Sequence, residues 1–365
     1  MSTEPGQDDV RAGVTLQINV TPGDFPYAIH TLPHQLRQWA GQVHEVVFSL
    51  ETHRSKGRYG EGWEHRDSLR EFLGALCTAE PKARVSVVDY SEGEHEAISS
   101  AFFGGRDVPQ KDFIGYPFHG LFQGLQSARF DRVMHMDSDM MFGGGSQSWV
   151  DEATELLAER HEILFCAPLS GPPTPTGEIP GRVRARAIRW GGVIHGREPG
   201  PILGYRFGNV SSRVFLVDRA RLRSELAPLR PRAPAILRGL GHRDGCRTTL
   251  RSLLRARLRG VSHFCLAEDL ISEAMRKEKL VRVDYLGRDP GMWSLHPVAH
   301  SHDLYLELPR LVERVESGDL PEGQLGDYDI NDSLLEGQSI HADAEDPSMW
   351  DRTTGAVARR AKRRI

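Results

Sequence analysis

A chain of 365 residues, 39% of them hydrophobic, can bury one large core or two small ones. Its net charge of −4 and pI of about 6.5 argue against a protein built to bind nucleic acid. No run approaches the ~20 apolar residues of a membrane span, and the polar start MSTEPGQDDVRAG lacks an apolar h-region, so neither a transmembrane segment nor a signal peptide is expected.

Residues 1–13 read as disordered. VTLQINV, residues 14–20, alternates and predicts a first strand, broken by Pro22, Gly23 and Pro26. Residues 29–39 predict a helix, with Pro33 placing its start near Leu32. A second strand is expected over 43–50, a loop over 57–62, and a helix over 63–76 from Leu69, Phe72, Leu73 and Leu76. Residues 84–90 predict a third strand containing Asp89, 104–112 a loop, and 113–129 a helix with Leu121, Leu125 and Ala128 on one face.

The next stretch, RVMHMDSDMMFGGG over 132–145, organises the rest. Val133, Met134 and Met136 form a short apolar run that ends in Asp137 and Asp139. If the strand continued through both acids, their side chains would share a face. Two like charges near a core repel unless a cation or ligand neutralises them. Mg²⁺ and Mn²⁺ prefer oxygen ligands and commonly sit between carboxylates and phosphates, so the chemistry expected is a metal–diphosphate site at a strand end. The alternative is a solvated Asp-x-Asp turn.

A helix over 149–160 and a strand over 162–168 follow. The Pro- and Gly-rich stretch 169–180 marks a boundary or an active-site loop. Residues 213–217 predict a strand with a helical start at Asp218. The arginine-rich 219–259 reads either as a solvated helical face or as a positive rim for an anionic substrate. A short strand over 262–266 leads into Ala267-Glu268-Asp269 and a helix, where acids also suit the dipole. Then come a strand over 281–285, a loop carrying Trp293, His296, His300 and His302, a helix over 304–316, and a basic tail RRAKRRI. Cys77, Cys166, Cys246 and Cys265 show no CxxC spacing and read as reduced, mostly core thiols of a cytoplasmic protein. Alternating β and α elements predict an α/β fold with a mostly parallel sheet and helices on both faces.

Four stretches in order resemble the GT-A glycosyltransferases, in particular the bacterial family 2 type of nucleotide-sugar enzymes: VTLQINVTPGDFPYAIHTLPHQL, FHGLFQGLQSARFDRVMHMDSDMM, FCLAEDLISEAM and WSLHP. They span about residues 14–305. The resemblance implies a GT-A, Rossmann-like fold, with a nucleotide-sugar-binding half over 14–168, an acceptor-binding and catalytic half over 169–320, and an extension over 321–365. It implies a nucleoside-diphosphate sugar as donor, a divalent metal (Mn²⁺ or Mg²⁺), and a soluble small-molecule or glycan acceptor. Asp137 would face ribose or metal, Asp139 would ligate the metal, and His296 would complete its shell, with His300 and His302 as alternatives. Asp89 matches the acid that contacts the base, or is a turn residue; Thr21 and Pro22 would line the same pocket. In inverting members the acid of the Glu-Asp motif is the base, which selects Asp269, then Glu268. Asn209 could contact the donor sugar or form a plain turn, and Trp190, Gly191 and Gly192 could shape the acceptor side. The arginine-rich segment has no counterpart in the family pattern. A sugar-1-phosphate nucleotidyltransferase would carry a Gly-rich basic loop after the first strand, which VTPGDFPY does not; the third possibility is a non-catalytic nucleotide-sugar-binding protein.

Overall fold

The computed structural model describes residues 13–55, 60–112, 115–174, 193–195, 203–231, 266–297, 300, 302–331 and 333–335. Strand β1 (Val14–Val20) leads through a 3-10 turn into α1 (Phe25–Trp39). Then come β2 (Glu45–Leu50), α2 (Arg66–Ala79), β3 (Ala83–Val87), α3 (Glu92–Ile98) and α4 (Phe118–Ser127). Strands β4 (Arg132–Asp137) and β5 (Met141–Gly143), helix α5 (Trp149–Glu159) and strand β6 (Ile163–Ser170) form the middle. The remainder is β7 (Val193–His195), β8 (Leu203–Phe207), β9 (Val214–Asp218), α6 (Ala267–Glu278), β10 (Val281–Tyr285), β11 (Trp293–Leu295) and α7 (His302–Ser317).

The strands join in the order β3-β2-β1-β4-β9-β6-β10-β8-β7, with β11 bridging β6 and β5. β3, β2, β1 and β4 are mutually parallel, as are β6 and β10, while β9 runs antiparallel to both of its neighbours. The predicted α/β architecture is therefore present, and helices cover both faces. On β1 and β4, Leu16, Ile18, Met134 and Met136 pack toward α1, α2 and α5. Val133 packs the opposite way, with α3, α4 and α6. A sheet buried on both sides needs near-continuous apolar strands, which explains the run before the acids. The alternation also assigns Asp137, like Val133 and His135, to the α4 face.

Several boundaries differ from the sequence expectation. α1 starts at Phe25, well before Leu32, and carries Pro33 inside it. Pro26 in the first turn pre-sets the helical φ, and burial of Ala28, Thr31, Leu32, Gln35 and Trp39 offsets the hydrogen bond that Pro33 removes. α4 starts at Phe118, because Pro117 precedes it and disfavours helix upstream. Helix α3 and strands β5, β7, β8 and β11 were not expected; β5, β7 and β11 have three residues each, too few to show a period of two. The expected strand over 262–266 lies outside the described residues except for Leu266, as do Trp190, Gly191, Gly192, Cys246, Cys265 and most of the arginine-rich segment. Cys77 and Cys166 are free thiols. No helix among the described residues is long and apolar enough to cross a membrane.

One buried histidine ties three elements together. The Phe142 N–H donates to His34 Nε2 at 2.8 Å, so the other ring nitrogen carries the proton and donates to Glu316 Oε1 at 2.7 Å. Burial holds His34 below its usual pKa, against Glu316, while Arg37 adds to the lowering. His34 and Arg37 in turn hold Glu316 down at about 2, although partial burial opposes them. Both shifts act in one direction. A lowered His34 contributes stability that is complete above its unfolded value near 6.5 and is lost as pH falls toward its folded value. A lowered Glu316 contributes stability present above 4.5 and lost as pH falls toward about 2. Urea denaturation is therefore expected to show stability declining from about pH 6.5 downward, with a shallower decline between about pH 6.5 and 5 in His34→Gln; an unchanged slope in that variant would refute the assignment.

Candidate functional site

The site lies at the carboxyl end of β4. The strand stops at Asp137, and Ser138 and Asp139 form a turn before β5. The two acids therefore do not share a face by strand alternation. The turn brings their charges together instead, and helix α1 fixes it. Gln35 Nε2 donates to the carbonyls of Asp137 (3.0 Å) and Met140 (2.9 Å), and Thr31 Oγ1 donates to the Ser138 carbonyl (2.6 Å). The Ser138 hydroxyl donates to Asp24 Oδ2 at 2.8 Å. Asp24 also accepts from the Thr21 N–H (2.8 Å) and hydroxyl (2.7 Å), so the turn after β1 and the turn after β4 are one hydrogen-bonded unit. Beyond β5, Gly144 holds a φ of 93° with the Gly291 carbonyl where a Cβ would stand, which requires glycine.

Asp137 Oδ1 accepts from the Tyr116 hydroxyl at 2.6 Å, and the Asp137 N–H donates to the Arg213 carbonyl at 2.8 Å. Asp139 faces the other way, toward the loop before α7. His296 Nε2 stands 3.4 Å and His300 Nε2 3.2 Å from its Oδ2. Burial, then the charge of Asp139, push the Asp137 carboxyl well above its usual range. Burial also opposes ionisation of Asp139, but His296 and His300 outweigh it and hold that carboxyl well below its usual range. Two adjacent acids thus have opposite tendencies, one toward the neutral form and one toward the carboxylate. Burial disfavours a charged His296, yet Asp139 and Asp329 outweigh it and raise its pKa. Arg213 supplies a fixed positive charge: Tyr328, Asp139, Asp329 and Asp137 raise its pKa despite burial.

A divalent cation is implied by the Asp-x-Asp resemblance, and Asp139 offers one an open donor. Asp139 Oδ1 is buried without a hydrogen-bond partner, and two imidazole nitrogens face the same carboxylate. One carboxylate and two imidazoles suit Mn²⁺ and similar cations. Among the described residues no group of three or more His, Cys, Asp or Glu side chains is placed to hold a metal ion. His302 begins α7, and its side chain lies outside the described residues.

The other sequence-derived residues fall in three places. Thr21 and Pro22 flank the site through Asp24, with Pro22 buried at the start of the 3-10 turn. Glu268 and Asp269 sit in the first turn of α6. Glu268 Oε1 accepts from the Ser212 N–H (2.6 Å) and hydroxyl (3.0 Å), which fixes α6 beside Arg213. Asp89 lies two residues past β3 and accepts from the Ser91 N–H at 2.7 Å and hydroxyl at 3.0 Å, bonds that hold its carboxyl below its usual value. Asn209 is exposed in the bend between β8 and β9, also as a turn residue. Tyr116, Arg213, Tyr328 and Asp329 were missed. TPGD after a strand carried a capping signal that could have found Asp24; nothing in the local pattern marks Asp329.

No family model matches this chain, and no curated protein matches it. Among solved structures, the galactosyltransferase LgtC, bound to donor and acceptor sugar analogues, aligns at 11% identity over 72% of this chain and 70% of that one, with a TM-score of 0.31. The 4-diphosphocytidyl-2C-methyl-D-erythritol synthase of Anaerococcus prevotii DSM 20548 aligns at 8% identity over 83% and 96%, with a TM-score of 0.34. A mycobacterial protein aligns at 14% identity over 83% and 73%, with a TM-score of 0.32. At TM-scores this low the likenesses decide nothing about activity.

The clamp on the acidic turn has a measurable consequence. Gln35→Leu leaves two backbone carbonyls at 137 and 140 without their side-chain donor, and is expected to lower stability by about 2 kcal/mol in urea denaturation. A loss under about 0.5 kcal/mol, the range of ordinary surface substitutions, would show that water replaces the amide and that the turn does not depend on α1.

Proposed function

We propose that this protein is a metal-dependent glycosyltransferase of the GT-A type, moving a sugar from a nucleoside-diphosphate sugar to a hydroxyl acceptor with inversion. The observation that carries the reading is the meeting of Asp139, at the carboxyl end of β4, with His296 and His300 from a loop more than 150 residues later. In open α/β sheets, ligands bind outside the carboxyl ends of the strands. Mn²⁺ or Mg²⁺ bound there would neutralise charge on the departing diphosphate.

The chain's own groups then take distinct tasks. Asp139 and His296 hold the cation, with His300 beside them. Asp137, positioned by Tyr116, faces the ribose or the cation. Arg213 adds a second positive charge on the diphosphate side. Asp269 takes the acceptor proton, since a hydroxyl is a poor nucleophile until a nearby carboxylate accepts its proton. Glu268 is the second choice, because one of its oxygens already holds Ser212. Thr21 and Pro22 line the nucleotide pocket at the end of β1, while Asp89 and Asn209 are weaker contacts given their turn roles. The acceptor is a soluble small molecule or glycan.

Calorimetric titration with UDP and GDP, with and without Mn²⁺, tests this directly. One nucleotide is expected to bind in a Mn²⁺-dependent manner, with at least tenfold weaker binding in Asp139→Ala. Equal binding with and without metal, or no binding of either, would remove the metal-dependent assignment.

A further inference from the structure

Residues 322–330, beyond the last long helix, return to the site. A 3-10 turn (Glu322–Gln324) opens the segment, and the Gln324 amide donates to the carbonyls of Asp327 (3.0 Å) and Asp329 (3.1 Å). The segment then pairs with the backbone of His296. The His296 N–H donates to the Tyr328 carbonyl and the Ile330 N–H donates to the His296 carbonyl, both at 3.0 Å, which makes a parallel bridge between His296 and Asp329. Tyr328 stacks on the His296 ring at 6.0 Å with planes 15° apart, and Arg213 lies 5.7 Å from the Tyr328 ring centre. Ile330 and Leu334 anchor the segment in the apolar cluster under α7.

The bridge fixes Asp329 beside the far nitrogen of the imidazole. His296 Nε2 faces Asp139, while Nδ1 is buried without a hydrogen-bond partner and faces Asp329 Oδ1 at 3.8 Å. That is an ion-pair distance; a closure of about 0.8 Å makes a hydrogen bond. Histidines that hold metals commonly donate their second N–H to a carboxylate, which fixes the ring's orientation and raises its strength as a ligand.

We propose that Asp329 is a positioning residue that orients His296 toward the cation held with Asp139, so that the segment 326–330 completes the site. This rests on the reading of His296 as a metal ligand. Asp329 also lies 3.8 Å from Arg213 Nη1, so it acts as the shared counter-charge of the imidazole and the guanidinium. Asn at this position keeps an acceptor oxygen but loses the charge, and Ala loses both. The effect on metal affinity is therefore graded.

Mn²⁺ binding to the full chain, read by the loss of the free-ion signal in electron paramagnetic resonance without nucleotide, tests the proposal independently of turnover. Asp329→Ala is expected to bind Mn²⁺ about tenfold more weakly than wild type, and Asp329→Asn about threefold more weakly, the melting temperature of each reporting its fold. If Asp329→Ala does not fold, the Asn variant decides alone. Wild-type affinity in the folded Asp329 variants, together with loss of binding in His296→Ala and Asp139→Ala, would overturn the positioning role and leave the metal site standing. Absence of Mn²⁺ binding in the wild type would overturn both.

Discussion

The site depends on one constraint: the acidic turn after β4 has buried backbone carbonyls that no strand partner satisfies. Strand pairing ends at Asp137, yet the chain stays inside the protein until β5. Buried carbonyls must find donors, and α1 supplies them from Thr31 and Gln35, one turn apart on the same helical face. The same face carries Ala28, Leu32 and Trp39 into the core, so the apolar packing that forms the helix also places the polar clamp. Without that clamp, Asp139 has no fixed position from which to meet the histidines.

On the opposite face of the sheet a polar seam runs under α4. Gln17 bonds Ser49 and Asn19, and His135 meets the side-chain Oε1 of Gln17, all beneath a helix that carries Gly120 and Gly124. A Cβ at Gly124 would stand 2.5 Å from Gln17 Nε2, so the glycine allows the helix to close over the seam. Asp137 is the last residue on this seam. Its proximity to Asp139 and its burial favour the neutral acid, whereas Asp139, opposite two imidazoles, favours the carboxylate.

The legible part of the molecule was the part written in local periodicity. β1 and β10 fall where alternation placed them, and β4 ends at the first of the two acids. The acidic strand end was legible because an apolar run closes on two carboxylates, whereas His296 was singled out only through the resemblance of WSLHP to a family loop. The shape of the acidic turn was not, because it is set by Thr31 and Gln35 on a helix more than 100 residues earlier. Pro33 misled the reading of α1: a local rule for helix starts yielded to the burial of one helical face. Arg213 and Asp329 were illegible for a related reason. Arginine and aspartate in loops are common, and only the pairing of the chain around His296 brings these two together.

That pairing links the site to the stability of the C-terminal part. His296 is held between Asp139 on one side and the 326–330 backbone on the other, and β11 before it is pinned between β5 and β6. β5 is in turn tied to α7 through His34 and Glu316. The groups that meet at Asp139 therefore come from elements that are each short and individually weak: a three-residue strand, a turn and a single bridge. Their geometry holds only while Leu304, Leu308, Leu311 and Val315 of α7 stay packed on Leu295, Ile330 and Leu334. Apolar burial is not directional, but it keeps the backbone bridges closed. In this fold it does so at a distance from the acids, which leaves the face around Asp137 and Asp139 free to carry charge.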